Sequence, residues 1–372
     1  MIKVLITEDS PTITEIIKMT LNKDKEIKVI GWAKNGKECV ELTNKLKPNV
    51  ITMDIRMPIM DGFEATKQIM AKYPTPILVF SAAVNDDLNI AFNALKFGAL
   101  DVLEKPKMLS TGTASPNMGE DLIQRIKIIS RVRPLKKLYK QTVQADFKKS
   151  ISSKISVSDN DGVLVIGAST GGPAALNYIL SKLPQKFPLP IIVTQHISHG
   201  FIKGLITWLQ DECPIKIKVG NNNEKIEKGN IYFAPDNCHM GVTLDRKIFL
   251  SIAPPISGHR PSVDFLMESS ASAYGEHCMG IILTGMGRDG AKGMMAIRKE
   301  GGFTISQDEE SSVIFGMPKV AIESGAVMKI CNAEQIPDEI IQWVQKKNSS
   351  NSLNRSNSLN GLNGLNGLRS LY

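Results

Sequence analysis

Residues 163–176 read VLVIGASTGGPAAL. An apolar run, 163–166, ends in Gly167-Ala168-Ser169-Thr170-Gly171-Gly172, and after Pro173 the chain turns alanine-rich and helical. Strand, glycine turn and helix in direct succession form the unit from which α/β folds are built. The turn itself admits three readings: a phosphate cradle, a nucleophile held at the top of a sheet, or a tight corner that needs glycine and happens to contain a hydroxyl. Its glycine spacing misses G-x-G-x-x-G and it lacks the P-loop lysine. It does fit G-x-S-x-G, where flanking glycines expose a serine at the start of a helix.

The chain around it has 372 residues, enough for two ordinary domains, and its 42% apolar content is that of a globular protein. No apolar run approaches the ~18 residues of a membrane span. The first residues, MIKVLITEDS, read as a strand and not as a signal peptide. Cysteines at 39, 213, 238, 278 and 331 form no CxxC pair, which fits reduced thiols in a cytoplasmic protein. The net charge of +8 raises the question of nucleic acid. Residues 1–106 hold 14 basic and 14 acidic side chains, residues 161–347 hold 18 and 19, and residues 107–160 hold 11 and 4. The excess therefore sits in the connection, whereas a DNA-binding domain carries its charge on its own surface.

The first 105 or so residues alternate apolar strands (2–7, 27–32, 49–53, 76–80, 101–104) with amphipathic helices (12–22, 36–47, 62–72, 86–97). That alternation predicts a parallel sheet covered on both faces. A loop is expected at 107–118 and a further helix over 119–132; a basic, serine-rich linker then leads to a second α/β block. The NGL-repeating end, 348–372, has too little apolar content to build a core, and disorder is expected there.

Ligands of parallel sheets bind at the carboxyl ends of strands. In the first block those ends carry Glu8 and Asp9, Asp54, Ser81, and Lys105. Crowded carboxylates call for a hard divalent cation such as Mg²⁺. With it, Asp54 can accept a phosphoryl group whose oxygens Ser81 and Lys105 would hold. MDIRMPIMDG, LITEDS, VFSA and LEKP resemble the response-regulator receiver domain over about residues 1–130. The resemblance implies a flavodoxin-like doubly wound sheet and phosphorylation of Asp54 by a histidine kinase. It also implies Mg²⁺ held by Asp9, Asp54 and the carbonyl of Arg56, with Glu8 standing where aspartate is more usual.

In the second block, Ser169 needs a base and the base needs a carboxylate. His196 ends the apolar strand PIIVTQHI, and Asp289 sits in the glycine turn after the strand at 280–283. All three thus follow strands at their carboxyl ends. Their order, Ser–His–Asp, is not that of α/β-hydrolases. His199, three residues beyond His196, raises the thought of a metal pair, but no HExxH or cysteine cluster accompanies it. His239, His259 and His277 stand in less telling surroundings, and of these His239 is expected to support the site.

GASTGG, TQH, RPSVDFLM (260–267), TGMGRDGAKGM and QDEESSVIFGMPKVAIESGAV (307–327) resemble the catalytic domain of the chemotaxis protein-glutamate methylesterases, the CheB family. The resemblance implies a doubly wound α/β methylesterase domain at 161–347, joined by a linker at 131–160 to the receiver. It implies Ser169 as nucleophile, His196 as base, Asp289 as its orienter, the Met286 N–H in the oxyanion hole, and Thr170 beside the nucleophile. The implied substrates are glutamate methyl esters of chemoreceptors, with glutamine deamidation by the same steps. No cofactor is expected in that domain, and neither nucleic-acid binding nor membrane insertion. A response regulator with a DNA-binding output is the alternative, and the near-neutral second block without a helix-turn-helix counts against it.

Overall fold

The structure is a computed structural model and describes residues 1–81, 85–105, 116–132 and 162–347. Residues 107–115, nearly all of the expected linker and the expected tail at 348–372 lie outside the described residues.

Five strands form the first sheet: β1 (Ile2–Thr7), β2 (Ile27–Ala33), β3 (Val50–Asp54), β4 (Ile77–Ser81) and β5 (Asp101–Glu104). Their order is β2-β1-β3-β4-β5 and every pairing is parallel. Helices α1 (Pro11–Leu21), α2 (Gly36–Leu46), α3 (Gly62–Lys72) and α4 (Asn85–Lys96) are the crossovers, and α5 (Pro116–Ile129) follows the last strand. The helix expected at 119–132 thus starts and stops three residues early. Ser10, Asn35 and Asp61 cap α1, α2 and α3 by accepting backbone N–H groups of the first turn. β3 and β4 are buried along their whole length, as a sheet covered on both faces requires.

The second sheet is also parallel. It comprises β6 (Val163–Ala168), β7 (Ile191–Gln195), β8 (Lys216–Val219), β9 (Asn230–Phe233), β12 (Cys278–Ile282), β13 (Phe303–Gln307) and β14 (Lys329–Cys331). Its order is β14-β13-β12-β6-β7-β9-β8. From β6 the chain passes to β7, then to β8 at the edge and back to β9 between them, and it returns to the other side of β6 with β12. The switch point therefore lies at β6 and β12, where a crevice opens at the carboxyl ends. β10 (His239–Val242) and β11 (Ile248–Ser251) make a separate antiparallel hairpin. The sequence reading did not place it, because two four-residue strands carry almost no periodic signal. Helices α6 (Gly172–Lys182), α7 (Ile202–Gln210), α8 (Val263–Tyr274), α9 (Ala291–Lys299), α10 (Met317–Glu323) and a last helix over 336–347 complete the layers.

The two sheets' layers meet through α4 and α7. Phe92 stacks on Trp208 with ring centroids 5.7 Å apart, and Trp208 Nε1 donates to Asn93 Oδ1 at 3.2 Å. Lys96 pairs with Glu212 beside them.

Candidate active site

The turn after β6 is built by its glycines and its neighbours. Gly171 takes φ +79° at the head of α6, and a Cβ on Gly172 would lie 2.2 Å from Gln195 Oε1. Gln195 uses its amide as a brace, donating from Nε2 to the carbonyls of Ser169 (2.8 Å) and His196 (2.9 Å). Thr284 adds a second brace, its hydroxyl donating to the Thr170 carbonyl at 3.0 Å. Ser169 is nearly buried, and its own N–H is taken up by the Thr284 carbonyl at 3.1 Å.

Asp289 is fully buried, and donors surround its carboxylate. Oδ1 accepts from Ser262 Oγ (2.8 Å) and the Asp264 N–H (3.0 Å), and Oδ2 accepts from the Val263 N–H (2.7 Å). His196 Nε2 lies 2.9 Å from Oδ2. Burial alone would push Asp289 up. His196 and the backbone donors outweigh it and hold the acid down to about 2. An ionised carboxylate accepts only, so the ring carries its proton on Nε2 and the lone pair on Nδ1. Nδ1 is buried and has no hydrogen-bond partner among the described residues.

Ser169, Thr170, His196 and Met286 line one cleft of about 340 Å³. Among the described residues no hydrogen bond joins Ser169 Oγ to Nδ1. Such contacts commonly close only when substrate is bound. His199 turns away, accepting at Nδ1 from Asn237 Nδ2 at 3.0 Å. His239 accepts from the Ser262 N–H at 3.2 Å and so steadies the segment that holds Asp289.

Several residues in or behind the cleft escaped sequence reading. His259 stacks on His196, Ser262 to Asp264 cradle Asp289, and Arg125 and Asp121 of α5 reach the cleft from the other sheet. Arg125 pairs with Asp101 and Asp121 and lies 3.5 Å from Thr170 Oγ1. The one usable signal was RPSVD, a serine and an aspartate beside a proline at a helix start, which reads equally well as an N-cap.

In the first sheet, carboxylate oxygens of Glu8, Asp9 and Asp54 lie within 4.8 Å of one another. Lys105 Nζ sits 2.7 Å from Asp54 Oδ2 and 3.4 Å from Glu8 Oε2 as an ion pair, without hydrogen-bond alignment to either oxygen. Burial, then the charge of Asp54, pushes Glu8 up to about 7; burial also raises Asp54 against the pull of Lys105. Ser81, buried at the end of β4, accepts the Lys105 N–H at its carbonyl at 2.9 Å. The Arg56 N–H donates to Asp54 Oδ1 at 3.2 Å. Two buried carboxylate oxygens without hydrogen bonds, beside a third acid, are a donor set that fits a hard divalent cation.

Residues 164–340 match the CheB methylesterase family and residues 4–113 the response regulator receiver domain. A protein-glutamate methylesterase/protein-glutamine glutaminase of Methanospirillum hungatei is 40% identical over 326 residues, 86% of this chain and 92% of the relative. One from Myxococcus xanthus is 40% identical over 324 residues, 86% and 91% of the two chains. The chain belongs to the CheB methylesterase family. It is a hydrolase with a receiver domain, the architecture of a chemotaxis methylesterase regulated by phosphorylation. The DNA-binding alternative falls, because the output block is the methylesterase itself. No helix of the described residues is long and apolar enough to cross a membrane.

Proposed function

We propose that this methylesterase hydrolyses glutamate methyl esters on chemoreceptors with Ser169 as nucleophile, His196 as base and Asp289 as the group that orients it. One observation carries the reading. A carboxylate saturated with donors fixes the His196 tautomer and leaves a buried, unpartnered Nδ1 in the cleft that Ser169 lines. Ser169 Oγ attacks the ester carbonyl as its proton passes to Nδ1. The tetrahedral oxyanion is met by the backbone N–H of Met286, which no hydrogen bond among the described residues occupies; such a donor contributes about 3 kcal/mol. The imidazolium returns its proton to the departing methoxide, and methanol leaves. Water, deprotonated by His196, then cleaves the acyl-enzyme to glutamate. A glutamine in the same place would release ammonia by the same sequence. Thr170, between the nucleophile and Arg125, sits where the receiver can bear on the turn.

On the receiver side, Asp54 accepts the phosphoryl group from a histidine kinase. Lys105 and Ser81 then hold its oxygens. Glu8, Asp9, Asp54 and the Arg56 carbonyl would hold Mg²⁺, which supplies positive charge against the carboxylates and the incoming phosphoryl group. The methylesterase domain, 161–347, needs no cofactor in this scheme, and the enzyme works in the cytoplasm behind the receiver, 1–130. Methanol release from methylated receptor tests the reading. Ser169→Ala should abolish it, and retained release would move the nucleophile elsewhere, with Thr170 next in line.

A further inference from the structure

The ring of His259 lies face to face with that of His196, centroids 3.9 Å apart and planes 6° from parallel. Among the described residues His196 has one hydrogen bond to its ring, from Nε2 to Asp289, and a ring held at one point can swing about it. We propose that His259 is a positioning residue of the reaction, a flat ring that holds the plane of His196 so that Nδ1 addresses Ser169. The inference rests on the roles proposed above for Ser169 and His196.

His259 is itself firmly placed. Its N–H donates to the Ile256 carbonyl at 2.9 Å and its carbonyl accepts from the Ile256 N–H at 3.0 Å. The two residues between, Ser257 (φ +52°) and Gly258 (φ +84°), close a tight left-handed turn. Three residues further on begin the donors to Asp289. One short segment thus covers the face of the base and anchors the acid behind it, so the His196–Asp289 pair moves only if that segment moves. The covering ring is also uncharged. Burial, and then the charge of His196, pushes His259 down to about 4. When His196 takes up the serine proton, its positive ring therefore meets a π face and not a second cation.

The test uses the full-length chain, phosphorylated with a small acyl phosphate, releasing methanol from methylated receptor. Active sites are counted with a fluorophosphonate that labels the serine, so misfolded protein does not enter the rate. His259→Ala should lower kcat per site by about 10- to 100-fold, the scale of a misplaced catalytic group, with KM little changed. His259→Phe, which keeps a flat neutral ring, should recover most of the lost turnover. Wild-type kcat per site in His259→Ala overturns the proposal. So does a His259→Phe enzyme as slow as the alanine variant, since a ring nitrogen would then be acting, and so does a change confined to KM. Ser169→Ala and His196→Ala run beside them: if either retains turnover, the proposed roles fail, whatever His259 does.

Discussion

At the scale of the residue, the site depends on an Asp289 carboxylate held ionised by its donors and a His259 ring held neutral by burial. Ser169→Ala removes one oxygen from a turn braced by Gln195 and Thr284, so the fold should persist while turnover falls at least ~10³-fold. Methanol release and circular dichroism on the same sample check both halves of that statement. His259 makes a second prediction. Its ordinary value, near 6.5, is that of the unfolded chain, and the folded value is about 4. The charges facing it are His196, Asp289, Arg125 and Asp121. Between these two pH values the unfolded chain binds a proton that the folded one refuses. The group's contribution is therefore whole above pH 6.5 and is lost as pH falls toward 4. His259→Phe should lose less melting temperature than wild type between pH 7 and pH 5. Equal losses would show that His259 does not feel its surroundings in this way.

At the scale of the element, the start of α8 does two things at once. Ser262 Oγ donates to Asp289 and accepts from the Phe265 N–H at 3.3 Å, as the N-cap of the helix. Asp264, in the first turn, accepts the N–H groups of Gly290 (2.8 Å) and Gly293 (2.9 Å) and ties α8 to the head of α9. Ser262→Ala should cost about 1–2 kcal/mol, the worth of a helix cap with a buried hydrogen bond. It should also slow turnover, since the Asp289 carboxylate loses a donor. Calorimetry and methanol release on Ser262→Ala would separate these, and a variant as stable as wild type would mean that water replaces the hydroxyl without loss.

At the scale of the whole molecule, the receiver stands against the active-site side of the methylesterase. Arg125 and Asp121 line the cleft with Ser169, α4 lies on α7, and Val313 and Ile314, in the loop that hydrogen-bonds to Gly285 and Thr284, pack against the receiver core. On the function proposed above, a receiver so placed is expected to restrict entry until phosphorylation of Asp54 changes its surface. A chain beginning near residue 160 should demethylate receptors faster than the unphosphorylated full-length chain, by about 10- to 100-fold if a few kcal/mol separate closed from open. Arg125→Ala should move the full-length chain part of the way, and Asp54→Asn should stay slow in the presence of phosphodonor. A truncated enzyme no faster than the full chain would leave the receiver as a targeting module.

Much of this was legible in the chain. Alternating strands and helices specify parallel sheets because a covered strand must be apolar on both faces; GASTGG and TGMGRD read as strand ends because glycine turns interrupt those runs, and TQH because polar residues end an apolar one. Sequence also placed Ser169, His196 and Asp289, and Glu8, Asp9, Asp54 and Lys105, at strand carboxyl ends, where a parallel sheet gathers side chains. It could not place His259 or Arg125 in the cleft, or Ser262 behind it, for none of them directly follows a strand of its sheet. A stacked ring, an N-cap that doubles as a carboxylate donor and an arginine from the other domain have no local pattern. Their positions come from how a tight turn, a helix start and a neighbouring domain pack over the crevice, and only tertiary structure decides that.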